Sequence, residues 1–185
     1  MDWSGYPDGQ LLDALAEDPS ALGALYDRYG RLVYGLAVAI LANREEAEDL
    51  THEVFVTLRS ANTYDPARGS VGSFLTTLAR SRAIDRLRGR TRSVRLLRDH
   101  WQSSPPIELP ATPPDQVSAR RTTERVRASL AELSDNERRV LEMAYYKGLT
   151  QAEIADDLGV PLGTVKSWCR RGLLNLKRAL GDLVE

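Results

Sequence analysis

A chain of 185 residues with 42 % hydrophobic residues can form one domain or two small ones, and no run of 18 apolar residues is available for membrane insertion. The acidic first residues, MDWSGYPDG, lack the apolar core of a secretory signal, so we expect a cytoplasmic protein. The single Cys169 excludes an internal disulfide, and one cysteine with two histidines gives no metal-ligand cluster. Neither a metal nor any other cofactor is predicted.

Charge is segregated along the chain although the net charge is only −1. Residues 1–58 carry three arginines and eleven carboxylates, a net charge of −8. Residues 80–100 carry eight arginines and two aspartates, a net charge of +6. This asymmetry predicts one acidic surface that faces a protein and one basic surface that faces nucleic acid.

The first half of the chain, residues 1–98, is predicted to be an all-α domain. A short helix is expected over Gly9–Glu17, and apolar residues at helical spacing predict a longer helix after Pro19. Asn43, with Glu46 three residues later, predicts the start of a third helix. That helix would bury a stripe made of Ala47, Leu50, Val54 and Leu58.

A turn-rich loop over Tyr64–Gly69 precedes the last helix of this half, which Ser70 is placed to cap. The helix would direct six apolar side chains inward: Val71, Phe74, Leu75, Leu78, Ala79 and Ile84. The same helix carries six arginines: Arg80, Arg82, Arg86, Arg88, Arg90 and Arg92. Guanidinium groups pair bidentately with phosphate, so the use of arginine without lysine favours binding to the phosphate backbone of a nucleic acid. The alternative is a cationic helix that is only solvated.

Five of the nine prolines lie within residues 99–116, which excludes a regular helix there. We therefore predict an extended linker over residues 99–117. It separates residues 1–98 from a second all-α domain over residues 118–185.

The second domain is predicted to end in a helix-turn-helix. Ser134 and Thr150 each precede a glutamate by three residues, the spacing of a capping box, so helices should begin near Asp135 and Gln151. The turn between the last two helices is expected at Gly159–Pro161, since glycine ends helices and proline suits their first turn.

The last helix has an apolar and a basic stripe at helical spacing. The apolar stripe comprises Val165, Cys169, Leu173, Leu176 and Leu180, which makes Cys169 most simply a small core residue. The basic stripe, Lys166, Ser167, Arg170 and Arg171, suits the DNA major groove, the alternative being a solvated surface. Trp168 lies off both stripes, and contact with a sugar-phosphate or packing on Tyr145 or Tyr146 are both open.

Three motifs carry a resemblance to a known family. They are AEDLTHEVFVTL (47–58), LARSRAIDRLRGR (78–90) and LTQAEIADDLGVPLGTVKSWCRRG (149–172). With them, the chain resembles the bacterial RNA polymerase sigma factors of the extracytoplasmic-function (ECF, group IV) type. The resemblance implies a region 2 four-helix bundle in residues 1–98 and a region 4 helix-turn-helix in residues 118–185.

The resemblance also implies partners. The third helix would grip the β′ clamp helices of core RNA polymerase through Asp49, His52, Glu53, Phe55 and Arg59. His52 stands where the family more often has Gln, Phe74 where it often has Trp, and Ser81 where it commonly has Asn. The polymerase β flap, promoter DNA and an anti-sigma factor are the other partners expected from the family.

Promoter contacts are carried over in the same way. The −10 element would be opened and held by Tyr64, Phe74, Arg80, Ser81, Arg82, Arg86, Arg88 and Arg90, although Phe74 is alternatively a core residue. Duplex opening needs a cationic path for the backbone, a surface that replaces base stacking and a pocket for a flipped base. The −35 element would be read by Thr164, Lys166, Ser167, Arg170 and Arg171, with the helix N-terminus and Thr164 suited to a phosphate.

Other protein classes fit less well. A LuxR-type transcriptional regulator shares the helix-turn-helix, but the first domain shows no βαβ pattern and has its own basic helix. A nuclease or recombinase needs clustered carboxylates or an activated nucleophile, and no catalytic residue is predicted. An adaptor that binds polymerase without DNA is disfavoured by the arginine-rich helix.

Overall fold

The computed structural model describes residues 2–15, 17–60, 64–94 and 125–181. The chain divides into two compact units, Met1–Ala111 and Thr112–Glu185. Helices and turns but no strand occur in the described residues, which confirms the predicted all-α class. The predicted linker, residues 99–117, lies outside the described residues.

The first unit contains helices α1 (Asp8–Ala14), α2 (Ser20–Leu41), α3 (Arg44–Ser60) and α4 (Val71–Val94), with a short 3-10 turn at Pro66–Arg68. Its core forms where α2 packs against both α3 and α4. The predicted inward stripe of α3 is confirmed, since all four members are at most 4 % exposed. Both predicted caps are also present, because Asn43 accepts the Glu46 N–H at 3.2 Å and Ser70 accepts the Ser73 N–H at 3.2 Å.

Helix α1 begins one residue before the predicted Gly9 and ends three residues before Glu17. Pro7 precedes its first turn, and the Leu15 N–H donates to the Leu12 carbonyl in a tight final turn where the helix ends. The Asp8 carboxylate joins α1 to α2 by accepting from the Arg28 guanidinium and the Tyr29 hydroxyl. Burial, followed by this hydrogen bond, raises the pKa of Tyr29 above its usual value.

The second unit contains a helical segment at residues 125–131 (α5), followed by α6 (Asp135–Tyr146), α7 (Gln151–Leu158) and α8 (Leu162–Leu180). Both predicted capping boxes are complete, since Ser134 and Thr150 exchange side-chain and backbone hydrogen bonds with glutamates three residues later. Gly159 closes α7 at φ +65°, a left-handed conformation that favours glycine. The predicted turn is therefore confirmed.

Candidate nucleic-acid interfaces

The helix-turn-helix is held by a small apolar core. Six buried side chains from α6, α7 and α8 form it: Val140, Met143, Ile154, Ala155, Val165 and Cys169. Trp168 is half-buried and packs against this cluster. Its indole therefore belongs to the edge of the core, and Tyr145 and Tyr146 instead pair with each other at 4.9 Å between ring centroids.

The predicted −35 residues share the opposite side of α8. Lys166, Ser167, Arg170 and Arg171 are all exposed, and Thr164 in the first turn is half-buried. Arg171 differs from the other basic residues of this side because it forms an ion pair. Its Nε lies 3.3 Å from Oε1 of the buried capping residue Glu137. Lys166 and Arg170 form no ion pair within the described residues, so both cationic groups are exposed on this side of α8.

The predicted apolar stripe of α8 is only partly correct. Val165 and Cys169 are buried and Leu176 and Leu180 are half-buried, but Leu173 is 58 % exposed. At 100° per residue Leu173 lies about 80° from Val165, at the margin of the stripe. The centre of the stripe at that turn is occupied by the buried Gly172.

Gly172 brings α8 close to α6. A Cβ placed there would meet Leu141 Cδ1 at 2.8 Å and the Glu137 Cβ at 3.4 Å. The side chain of Leu173 is directed away from this contact, and the neighbouring Leu174 is exposed as well. The C-terminal half of α8 consequently presents apolar surface that the sequence pattern assigned to the core.

Cys169 is the free thiol of this core, as predicted. Burial raises the pKa of the thiol, although a hydrogen bond with Gln151 works in the other direction. A thiol must lose its proton to act as a nucleophile, so both burial and the raised pKa lower the reactivity expected of Cys169.

We expect Ellman's reagent to modify Cys169 much more slowly in the native chain than in urea. The native rate should also rise at a higher pH than the rate of the unfolded chain, because the raised pKa keeps the native thiol protonated longer. The unfolded chain is the control, since it carries the same thiol without burial. Equal rates in both states would show that Cys169 is not a core residue.

Helix α3 presents four of its five predicted docking residues. Asp49, His52, Glu53 and Arg59 are exposed, and Val56, which the sequence reading missed, is 48 % exposed on the same side. An apolar side chain at helical spacing among polar ones could have revealed Val56.

Phe55 is corrected from a docking residue to a core residue. It is 2 % exposed and packs against Tyr26 of α2, with 4.9 Å between the ring centroids. Because its ring contacts Tyr26 and is almost fully covered, Phe55 faces α2 and offers no surface to a partner in this conformation. Tyr26 covers Phe55 from outside and is itself 46 % exposed.

An aromatic pair stands at the start of α4. Tyr64 and Phe74 meet edge to face at 5.7 Å between centroids, and the Tyr64 hydroxyl donates to the Gly69 carbonyl at 2.9 Å. Both rings are half-buried, so Phe74 is neither fully in the core nor fully open. The pair fixes the loop 64–70 against the first turn of α4.

Three of the predicted −10 arginines lie across α3. Arg82 Nη1 lies 2.8 Å from Glu53 Oε1 and Arg86 Nη2 lies 2.5 Å from Glu53 Oε2. Arg90 pairs with Glu46. The sequence analysis missed these pairs, although Arg82, Arg86 and Arg90 lie at roughly the same helical angle as the buried Leu75 and Ala79.

The remaining predicted −10 side chains are distributed around α4. Ser81 and Arg88 are exposed and Arg80 is half-buried. Ser81 and Arg88 project from roughly the same side of the helix as Phe74. The arginine-rich segment and the aromatic pair therefore share one side of α4. The side chain of Arg92 lies outside the described residues.

Known protein families match both units. The sigma-70 region 2 model matches residues 25–93 and the sigma-70 region 4 model matches residues 129–178. The ECF RNA polymerase sigma factor SigK of Mycolicibacterium vanbaalenii is 37 % identical over 177 residues, covering 94 % of this chain and 89 % of that protein. SigK of Mycobacterium sp. strain KMS is 36 % identical over 175 residues, covering 92 % of this chain and 89 % of that protein. The chain belongs to the ECF RNA polymerase sigma factor family.

One solved structure also aligns with most of the chain. A chain in the crystal structure of Rhodobacter sphaeroides SigE in complex with the anti-sigma ChrR is 28 % identical to this sigma factor, with a TM-score of 0.45. The match covers 92 % of this chain and 96 % of that chain.

Family membership leaves the LuxR-type alternative without support. Region 2 occupies most of α2 and the whole of α3, where such a regulator would carry a receiver or ligand domain. Within the described parts of this sigma factor, no group of three or more His, Cys, Asp or Glu is placed to hold a metal. Nor is any described helix long and apolar enough to cross a membrane.

Proposed function

We propose that this chain is a dissociable initiation subunit that brings core RNA polymerase to promoters with a −35 and a −10 element. It would help to open the duplex and would catalyse no reaction itself. The observation that carries the proposal is the match of both sigma-70 regions, in order, on one chain whose SigK relatives align over more than nine tenths of its length.

Helix α8 would read the −35 element. Its exposed Lys166 and Arg170 have the long cationic side chains that read guanine O6 and N7 in the major groove. Ser167 and Thr164 would bind nearby polar groups, and Arg171 would exchange its contact with Glu137 for DNA. The capped helix α7 supports this role because it packs against α8.

The segment from Tyr64 to Arg90 would hold the melted −10 strand. The Tyr64–Phe74 pair offers an aromatic surface of the kind on which unstacked bases rest. Ser81 and Arg88 on the same side of α4 would bind the strand, and Arg80, Arg82, Arg86 and Arg90 would line its backbone.

Helix α3 would dock on the β′ clamp helices through Asp49, His52, Glu53 and Arg59. Their exposure on one well-packed helix supports this role, and Val56 adds an apolar contact at the same surface. The region 4 unit would meet the β flap. An anti-sigma factor that covers one or both surfaces in the cytoplasm would restrain the free protein.

In vitro transcription tests the proposal directly. Purified chain is added to core polymerase on a genomic DNA library, and the start sites are mapped. We expect new start sites that depend on the chain and share two upstream elements. Core polymerase alone is the control. Failure to recover β′ with the tagged chain, together with no new start site, would contradict the proposal and would favour a DNA-binding regulator that acts without docking.

A further inference from the structure

Glu53 belongs to two surfaces at once. It is one of the exposed residues of the α3 docking surface, with a side chain 46 % exposed. Both of its carboxylate oxygens also accept from α4, Oε1 from Arg82 at 2.8 Å and Oε2 from Arg86 at 2.5 Å. Glu53 therefore links the α3 docking surface to the arginines of α4.

Arg82, Arg86 and Arg90 are each held by further contacts along α3 and the end of α2. Arg82 Nη1 also donates to the Glu53 carbonyl at 3.3 Å, and Arg86 Nη1 donates to the Glu46 carbonyl at 3.1 Å. Arg90 pairs with the Glu46 carboxylate and donates to the Leu41 carbonyl at 3.4 Å, at the end of α2. These contacts occupy guanidinium donors that a DNA phosphate would otherwise use.

Ion pairs at this degree of exposure are weak, so a partner can displace them. A cationic or hydrogen-bond-donating group on the polymerase would compete with Arg82 and Arg86 for the two Glu53 oxygens. Each arginine that Glu53 releases regains its donors and its full charge for a phosphate.

We propose that Glu53 is handed from Arg82 and Arg86 to the polymerase when α3 docks, and that this hand-off makes the two arginines available to the melted −10 strand. In the free chain the same contacts weaken the binding of single-stranded DNA, so promoter binding waits for the assembled enzyme. The inference rests on the proposed docking of α3, and it assigns to Glu53 the regulation of the −10 surface.

The test compares the free full-length chain with its Glu53→Gln variant. Fluorescence anisotropy measures binding to a labelled oligothymidylate of roughly 16 nucleotides, which has phosphates but no promoter sequence. Losing two partly exposed ion pairs should tighten the Kd by roughly 2- to 30-fold at low salt. Two additional phosphate contacts should steepen the slope of log Kd against log salt by up to about 1.4.

Glu48→Gln is the matched control. It removes the same charge from an exposed position of α3 that forms no ion pair within the described residues, so its affinity should stay within about twofold of wild type. Glu46→Gln is a second variant that releases Arg90 and should also tighten binding. Equal affinities for the Glu53 and Glu48 variants, whether both unchanged or both tighter, would overturn the proposal.

A third measurement adds core polymerase at saturating concentration. Docking has then already withdrawn Glu53 from the arginines, so wild type and Glu53→Gln should bind the oligothymidylate within about twofold of each other. A difference as large as in the free chain would overturn the hand-off. If immobilised core polymerase fails to capture wild type, the proposed function itself fails, whereas capture without tighter DNA binding by Glu53→Gln refutes only the hand-off.

Discussion

Replacing Lys166 and Arg170 together by alanine should nearly abolish −35-dependent transcription. Both side chains are exposed on the proposed groove-facing side of α8, and neither pairs with a carboxylate in the described residues. Loss of two good base contacts at about 1–3 kcal/mol each predicts a loss of about 2–6 kcal/mol. That corresponds to a decrease of about 30-fold or more, measured as transcript from a promoter mapped with the wild-type chain.

The control is the double variant Lys177→Ala with Arg178→Ala. It removes the same two positive charges from exposed positions two to three turns further along α8, roughly 12 to 16 Å away. Its transcription should fall far less, since it loses only general attraction to DNA. Intact transcription by the Lys166 and Arg170 variant, or an equal loss by both double variants, would show that this side of α8 does not read the −35 element.

Local chemistry explains why much of the fold could be predicted from the sequence. A capping box needs only a hydroxyl and a glutamate three residues apart, so Ser134 and Thr150 locate the starts of α6 and α7 without any tertiary information. Gly159 marks the end of α7 for an equally local reason, its positive φ. Such signals involve neighbours in the chain and survive in any fold that keeps the helices.

Burial at the margin of a stripe depends instead on the neighbouring helices. Phe55 and Leu173 are both apolar at helical spacing, yet one is 2 % exposed and the other 58 % exposed. Tyr26 of α2 covers Phe55, whereas the close contact of α8 with α6 is made through Gly172 and leaves Leu173 outside. The sequence pattern defines a stripe but does not say how wide the facing surface is.

The arginine contacts of α4 could not be predicted for a related reason. Arg86 of α4 contacts Glu46 and Glu53 of α3, and these residues are far from Arg86 in the sequence. A count of charge along the chain separates the acidic first 58 residues from the arginine-rich segment and suggests two independent surfaces. Packing of α3 beside α4 brings these opposite charges together, so the two surfaces share residues and can influence each other.

Replacing Ile154 by alanine should unfold much of the region 4 unit. Ile154 is 0 % exposed and lies in the cluster of six buried residues that joins α6, α7 and α8. Truncating a buried isoleucine to alanine costs about 2–5 kcal/mol, and a core this small leaves little stability to lose. Hydrogen exchange followed by mass spectrometry should show lost protection in α6 to α8, while peptides from α2 to α4 remain protected.

Leu173→Ala is the matched control, because it removes the same three carbon atoms from a side chain that is 58 % exposed. Substitutions at exposed positions usually change stability by no more than about 0.5 kcal/mol, so its exchange pattern should match wild type. Comparing the Ile154 and Leu173 variants also tests whether Leu173 is buried or exposed on α8. If Leu173 belonged to the buried stripe that the sequence suggests, its loss would deprotect the unit as strongly as the loss of Ile154. The exposure of Leu173 in the structure requires that only the Ile154 variant does so.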